Sequence, residues 1–99
     1  MGSRYTTDTT PTNDQTTVGA VTTVVVAVNS ARVGGVFCND SDEVIYLAFG
    51  ADAVLNKGVR LNAGGGTFTM DGDLVFVGAI NAICTSGQKN LCYTEFVEA

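Results

Sequence analysis

Apolar positions along this chain come in short runs broken by glycine, asparagine and aspartate, and none recurs at the spacing of a long helix. Ala20–Val28 is a run of valine, threonine and alanine. Arg32–Cys38 and Glu43–Phe49 follow, joined by Asn39-Asp40-Ser41-Asp42, a cluster that closes turns through side-chain hydrogen bonds. This pattern predicts a hairpin, with a bulge or a close backbone approach at Gly34-Gly35. Ala51–Lys57 reads as one or two helical turns ended by Gly58. Val59–Asn62 is a short extended piece. Thr67–Met70 and Leu74–Val77 flank Asp71-Gly72-Asp73, an Asp-Gly hairpin signal. Ala79–Cys84 and Leu91–Val97 make a last expected pair around Thr85–Asn90.

Seven or eight short strands with frequent turns predict an all-β chain, a small β-sandwich or jelly-roll-like domain. Two strands are apolar on both faces. In Glu43–Phe49, Ile45, Leu47 and Phe49 share one face, while Val44, Tyr46 and Ala48 share the other. Ala79–Cys84 is similar apart from Asn81. A sheet with one wet face alternates apolar and polar residues, so these strands predict a second buried contact. In so small a domain that points to a neighbouring subunit, a homo-oligomer.

The first 18 residues differ: seven are threonine, and before Val18 only Met1 and Tyr5 are substantially apolar. Such a segment buries too little to offset its ordering entropy. The chain therefore divides into an extended N-terminal arm, 1–18, held by something outside its own core, and a β-sandwich core, 19–99.

Composition supports the strand reading. Among 99 residues, valine supplies 14 and threonine 13, both suited to a pleated surface. Charged residues make up only 15%, as in a protein that hides surface against partners. Five Lys and Arg against ten Asp and Glu give a net charge of −5. Those cations are scattered, which argues against nucleic-acid binding. With no histidine, Ser/His and Cys/His nucleophile pairs are absent, and no imidazole is available to a metal. No enzymatic activity and no cofactor is expected. The longest largely apolar stretch, Val18–Val28, is short for a membrane span, and it follows acidic residues unlike a signal peptide. The expectation is a soluble protein made in a cytoplasm.

The candidate chemistry is thin. Asp40, Asp42 and Glu43 in one turn and Asp71 and Asp73 in another offer hard oxygens to calcium, but hairpin turns require the same residues for backbone reasons. Cys84 and Cys92 have the spacing to meet across a hairpin as a disulfide; with Cys38, they read first as buried free thiols. Met1-Gly2-Ser3-Arg4-Tyr5-Thr6 fits a permissive myristoylation pattern. Gly64-Gly65-Gly66 lacks the context of a phosphate loop and reads as a turn.

Arg32 through Asn39, Asp42 through Gly50, Lys57-Gly58-Val59-Arg60-Leu61 and Gly78 through Ile83 together resemble the small virion structural proteins of tailed bacteriophages. The resemblance covers most of residues 32–97 and is one of short strands, glycine-rich turns and acidic, small-residue composition. It implies a capsid decoration (cement) protein on the outside of the phage head. Such a protein binds the major capsid protein through an extended terminus, often as a trimer. Acidity favours the outer face over a DNA-facing one. The arm residues expected to grip the shell are Arg4, Tyr5 and Pro11. Tyr46 and Phe49 are expected at an oligomer interface, with Arg32 and Arg60 paired to carboxylates there or within the fold. The alternatives are another head–tail, tail or fibre-base component, or a carbohydrate- or receptor-binding β-module.

Overall fold

A computed structural model describes residues 9–98 of the chain. Eight strands run in order: β1 (Thr9–Val18), β2 (Thr23–Val26), β3 (Arg32–Asn39), β4 (Ile45–Phe49), β5 (Val59–Leu61), β6 (Thr67–Met70), β7 (Ile80–Cys84) and β8 (Lys89–Glu98). They form two four-stranded antiparallel sheets, ordered β1-β8-β3-β6 and β2-β7-β4-β5. The first strand pairs with the last, the second with the seventh, the third with the sixth and the fourth with the fifth. That nesting is a long hairpin rolled over on itself, the topology of an eight-stranded jelly roll. The all-β sandwich expected from the strand rhythm is present.

Alternation sets the core. Val18, Phe37, Met70 and Leu91 from the first sheet meet Ile45, Leu47, Leu61, Ile80, Ala82 and Cys84 from the second. On the inner side of the first sheet, Phe68, Phe37 and Tyr93 stand in register on β6, β3 and β8. Their ring centroids are 6.5 and 6.2 Å apart, each pair stacked.

None of the three expected hairpins forms: two of the turns carry the chain from one sheet to the other, and the third leads into residues that form no strand. The Asn39–Asp42 turn leads from β3 in one sheet to β4 in the other. Asn39 makes this corner. Its side chain is fully buried; Nδ2 donates to the carbonyls of Glu43 (2.7 Å) and Leu61 (2.9 Å), and Oδ1 accepts from Ser41 Oγ at 2.7 Å. Asn39→Ala is expected to lower stability by about 1–3 kcal/mol by leaving the Leu61 carbonyl without its buried side-chain donor, while Ser41 Oγ still serves the Glu43 carbonyl, as measured by urea unfolding. After the Asp-Gly turn, residues 74–77 leave the sheet and are not a strand. Residues 85–88 likewise cross between β7 and β8. The bulge expected near Gly34 is present: Arg32 lies opposite Val97 and Gly34 opposite Phe96, leaving Val33 extra.

The expected helical turns over Ala51–Lys57 are absent. Asn56 takes a left-handed φ of 67° in a turn closed by Lys57 N–H to Val54 O (3.2 Å), and Gly58 follows at φ 85°. A Cβ at Gly58 would fall 2.1 Å from the Leu47 carbonyl oxygen, so glycine is required there.

This segment also accounts for the strands apolar on both faces. Asn81 and Tyr46 point away from the core, and residues 51–56 lie over them. Asn81 Nδ2 donates to Ala51 O (2.6 Å), and the Tyr46 hydroxyl donates to Asn56 Oδ1 (2.8 Å). Ala53 is 5% exposed, and its N–H donates to Thr22 Oγ1. The second buried contact is made by the chain itself. The doubly apolar strands therefore carry no argument for a neighbouring subunit.

The arm also differs from expectation. Thr9–Val18 is an edge strand of the first sheet, paired with β8 over ten residues from Thr9 opposite Glu98 to Val18 opposite Lys89. Its threonines bury little, and the strand is held by the backbone ladder that β8 offers it.

Candidate binding surfaces

One cluster concentrates polar geometry at an end of the sandwich. Arg32, at the start of β3, is 3% exposed. Its Nε bonds Glu95 Oε2 at 2.7 Å. Nη1 donates to the carbonyls of Phe76 (2.7 Å) and Gly78 (2.9 Å), and Nη2 to Ala27 O (2.6 Å). One guanidinium thus joins β8, the β6–β7 crossing and the β2–β3 connection. Its partners, Glu95 and three backbone carbonyls, all lie within the fold.

The other expected interface residues are scattered. Tyr46 lies under the 51–56 segment. Phe49 packs into the fold, its ring centroid 5.5 Å from that of Phe68 and 5.6 Å from that of Phe76. Arg60 on β5 is exposed, and its Nε donates to Asn62 Oδ1 (3.1 Å). Pro11 is exposed on β1. Arg4 and Tyr5 lie outside the described residues.

Beside Phe49 opens an apolar cleft of about 340 Å³, lined by Phe68, Met70, Leu74, Val75 and Phe76 with Asp73 at its side. Leu74 is 83% exposed. The Phe76 ring sits against Gly50 and Gly78, where an added Cβ would approach it to 3.1 and 2.6 Å. The cleft has an apolar lining apart from the Asp73 carboxylate. Its signal in the sequence was the apolar Leu74–Val77 run, which reads equally well as a strand. Val21, Val24, Val54 and Leu55 are also exposed, on β2, on the turn before it and on the 51–56 segment, which meets that turn through Ala53 N–H and Thr22 Oγ1.

The acidic turn residues are engaged with the β7–β8 connection. Asp42 Oδ1 pairs with Lys89 Nζ at 2.7 Å, and the Glu43 carboxylate accepts the Ser86 N–H and hydroxyl. Among the described residues no cluster of three or more Cys, Asp or Glu is placed to hold a metal ion. The Ser86 hydroxyl, then its amide, hold Glu43 below the usual glutamate range. A value depressed in the folded state means the contact is complete above the unfolded-state pKa and is lost as pH falls through the folded one. Exchange protection of the Ser86 amide is therefore expected to fall as pH drops below the ordinary carboxylate range, and to be low at all pH values in Glu43→Gln.

The three thiols are free. Cys84 is buried in β7, its Sγ bonded to Ser86 O at 2.6 Å, and Cys92 lies on β8 in the other sheet, so these two do not face each other across a hairpin. Burial, and after it the Glu43 carboxylate, push the Cys84 thiol up. Cys38 and Cys92 are only half-buried.

The four sheet edges are unequal. β2, β5 and β6 are four, three and four residues long, and β2 carries a register irregularity. Short or irregular edges resist pairing with another chain. β1 is ten residues long, exposed from Thr10 through Gln15, and carries one charge, Asp14. Its side away from β8 is unpaired among the described residues.

No helix among the described residues is long and apolar enough to cross a membrane. No family model matches the chain, nor does any curated protein or solved structure.

Proposed function

We propose that this protein is a non-enzymatic structural component of a phage virion, a capsid decoration protein that binds the major capsid protein on the outside of the head and stabilises the shell. The observation that carries this reading is the β1 edge. Three edges are kept short, while one is long, exposed and nearly uncharged, as strand addition to a partner's sheet requires. In strand addition the backbone supplies affinity, so a threonine-rich strand without catalytic groups suffices. The jelly roll recurs among capsid proteins and also among lectins, and here it serves as fold-level analogy alone. Low charge fits a protein whose surface is largely covered in its assembly, and many copies on a symmetric shell turn weak contacts into firm attachment.

The protein acts as a homo-oligomer, a trimer at local three-fold positions, using the exposed aliphatic residues Val21, Val24, Val54 and Leu55 as its contact. It binds neither nucleic acid nor membrane. Phage heads assembled without this protein and then supplemented with it should retain their DNA at temperatures that empty the unsupplemented heads. Equal loss of DNA from both would overturn the stabilising role.

A further inference from the structure

Cys38 and Cys92 are direct partners on adjacent antiparallel strands, in the register that runs from Gly34 opposite Phe96 to Asn39 opposite Leu91. Their in-line neighbours Phe37 and Leu91 are fully buried in the core. Both cysteines therefore point to the outer side of the first sheet, where they line one shallow depression with Asn13, Val36 and Thr94. Opposed residues of an antiparallel pair have Cα atoms about 4.5 or 5.5 Å apart, both inside the range a disulfide spans. Asn90 Nδ2 donates to Cys92 Sγ at 3.4 Å, and Asp40 Oδ2 lies 3.9 Å from the same sulfur. Neither thiol is sealed in the core as Cys84 is.

We propose that Cys38 and Cys92 form a reversible cross-strand disulfide when the protein meets a small-molecule disulfide oxidant. One cysteine thiolate attacks a sulfur of the oxidant, forming a mixed disulfide and expelling one thiolate, which takes up a proton. The opposed cysteine then attacks the protein-side sulfur of the mixed disulfide and expels the second thiolate, which is likewise protonated. The two cysteines lose two hydrogens in all, and the oxidant becomes two thiols. The bond joins β3 to β8 in the middle of the first sheet and encloses β4 to β7 in the covalent loop. A loop of that length restricts the unfolded chain strongly, so oxidation locks the sandwich shut. This makes the fold harder to open in an oxidising medium than in a reducing one, whatever the protein binds.

The test uses the full-length protein and oxidised glutathione, followed by alkylation, digestion and mass spectrometry. The expected product is a peptide pair joined through Cys38 and Cys92, two hydrogens lighter than the reduced pair, with Cys84 alkylated only after denaturation. The oxidised protein should melt about 10 °C or more above the reduced one, and a reductant should abolish the difference. Cys38→Ser should instead stop at a Cys92–glutathione mixed disulfide and show no such rise. A bond that includes Cys84, two separate glutathione adducts on Cys38 and Cys92, or thiols that stay reduced at equilibrium would each overturn the proposal.

Discussion

Replacing Arg32 by alanine is expected to destabilise the fold by about 3–5 kcal/mol, against the roughly 5–15 kcal/mol that holds a typical domain together. Removing one partner of a buried ion pair leaves the other in a poorly solvated site, and Glu95 has a side chain only 15% exposed. Three backbone carbonyls, of Ala27, Phe76 and Gly78, lose their donors in the same step. Lysine restores the charge but not the planar fork that reaches four acceptors in three directions, so Arg32→Lys should keep most of the loss. Urea unfolding of both variants reads these values. A double-mutant cycle with Glu95→Gln should show coupling between the two side chains. An Arg32→Ala protein within 1 kcal/mol of the parent, a difference in the range of ordinary surface changes, would contradict the bridging role.

Phe37→Ala is expected to cost about 3–5 kcal/mol, from lost transfer energy and the cavity left behind. Phe37 is fully buried and is the middle ring of the row across β6, β3 and β8. Its loss takes stacking partners from both Phe68 and Tyr93. Phe37→Leu refills much of the volume and should cost clearly less. Phe68→Ala should also cost less, because Phe68 is only half-buried at the short edge strand. Thermal and urea unfolding should place Phe37→Ala as the most destabilising of the three variants. A Phe68→Ala loss equal to that of Phe37→Ala would place the row's support elsewhere.

The sequence made the strands legible and their partners illegible. β3, β4, β6, β7 and β8 each carry a run whose alternate residues face the core, and turn residues mark their ends. Asn39-Asp40-Ser41-Asp42 and Asp71-Gly72-Asp73 say that the chain changes direction. They do not say whether the next strand joins the same sheet, because that depends on pairings such as β3 with β6 and β1 with β8, far apart in the chain. A hairpin is the local answer to such a signal, and a rolled-up topology replaces it with a crossing.

β1 was hidden for a related reason. Its threonines, Asn13 and Asp14 bury almost nothing, so no hydrophobic pattern announces a strand; its order comes from the β8 backbone. Arg32 is visible as a lone charge in an apolar strand that needs partners, but its acceptors lie at residues 27, 76, 78 and 95. The cover over Asn81 and Tyr46 comes from Ala51–Asn56, whose composition reads as helix, and so the second contact of those strands seemed to require another chain. The Leu74–Val77 run was legible as apolar, but its departure from the sheet depends on Arg32 and Asn29 claiming its carbonyls and those of its neighbours.

Attachment of this protein to a viral shell, as proposed, runs through the β1 edge. Co-sedimentation with phage heads assembled without it tests that most directly, using the full-length protein and the double variant Thr10→Lys/Thr12→Lys. Both substitutions fall on exposed β1 positions, so the variant should melt as the parent does, while two lysines on the edge block pairing with another strand. The predicted result is a parent that sediments with heads at a saturable ratio of copies and a variant that stays in solution. A parent left in the supernatant would contradict attachment to the shell, and a folded variant that sediments as fully as the parent would contradict the β1 edge as the means.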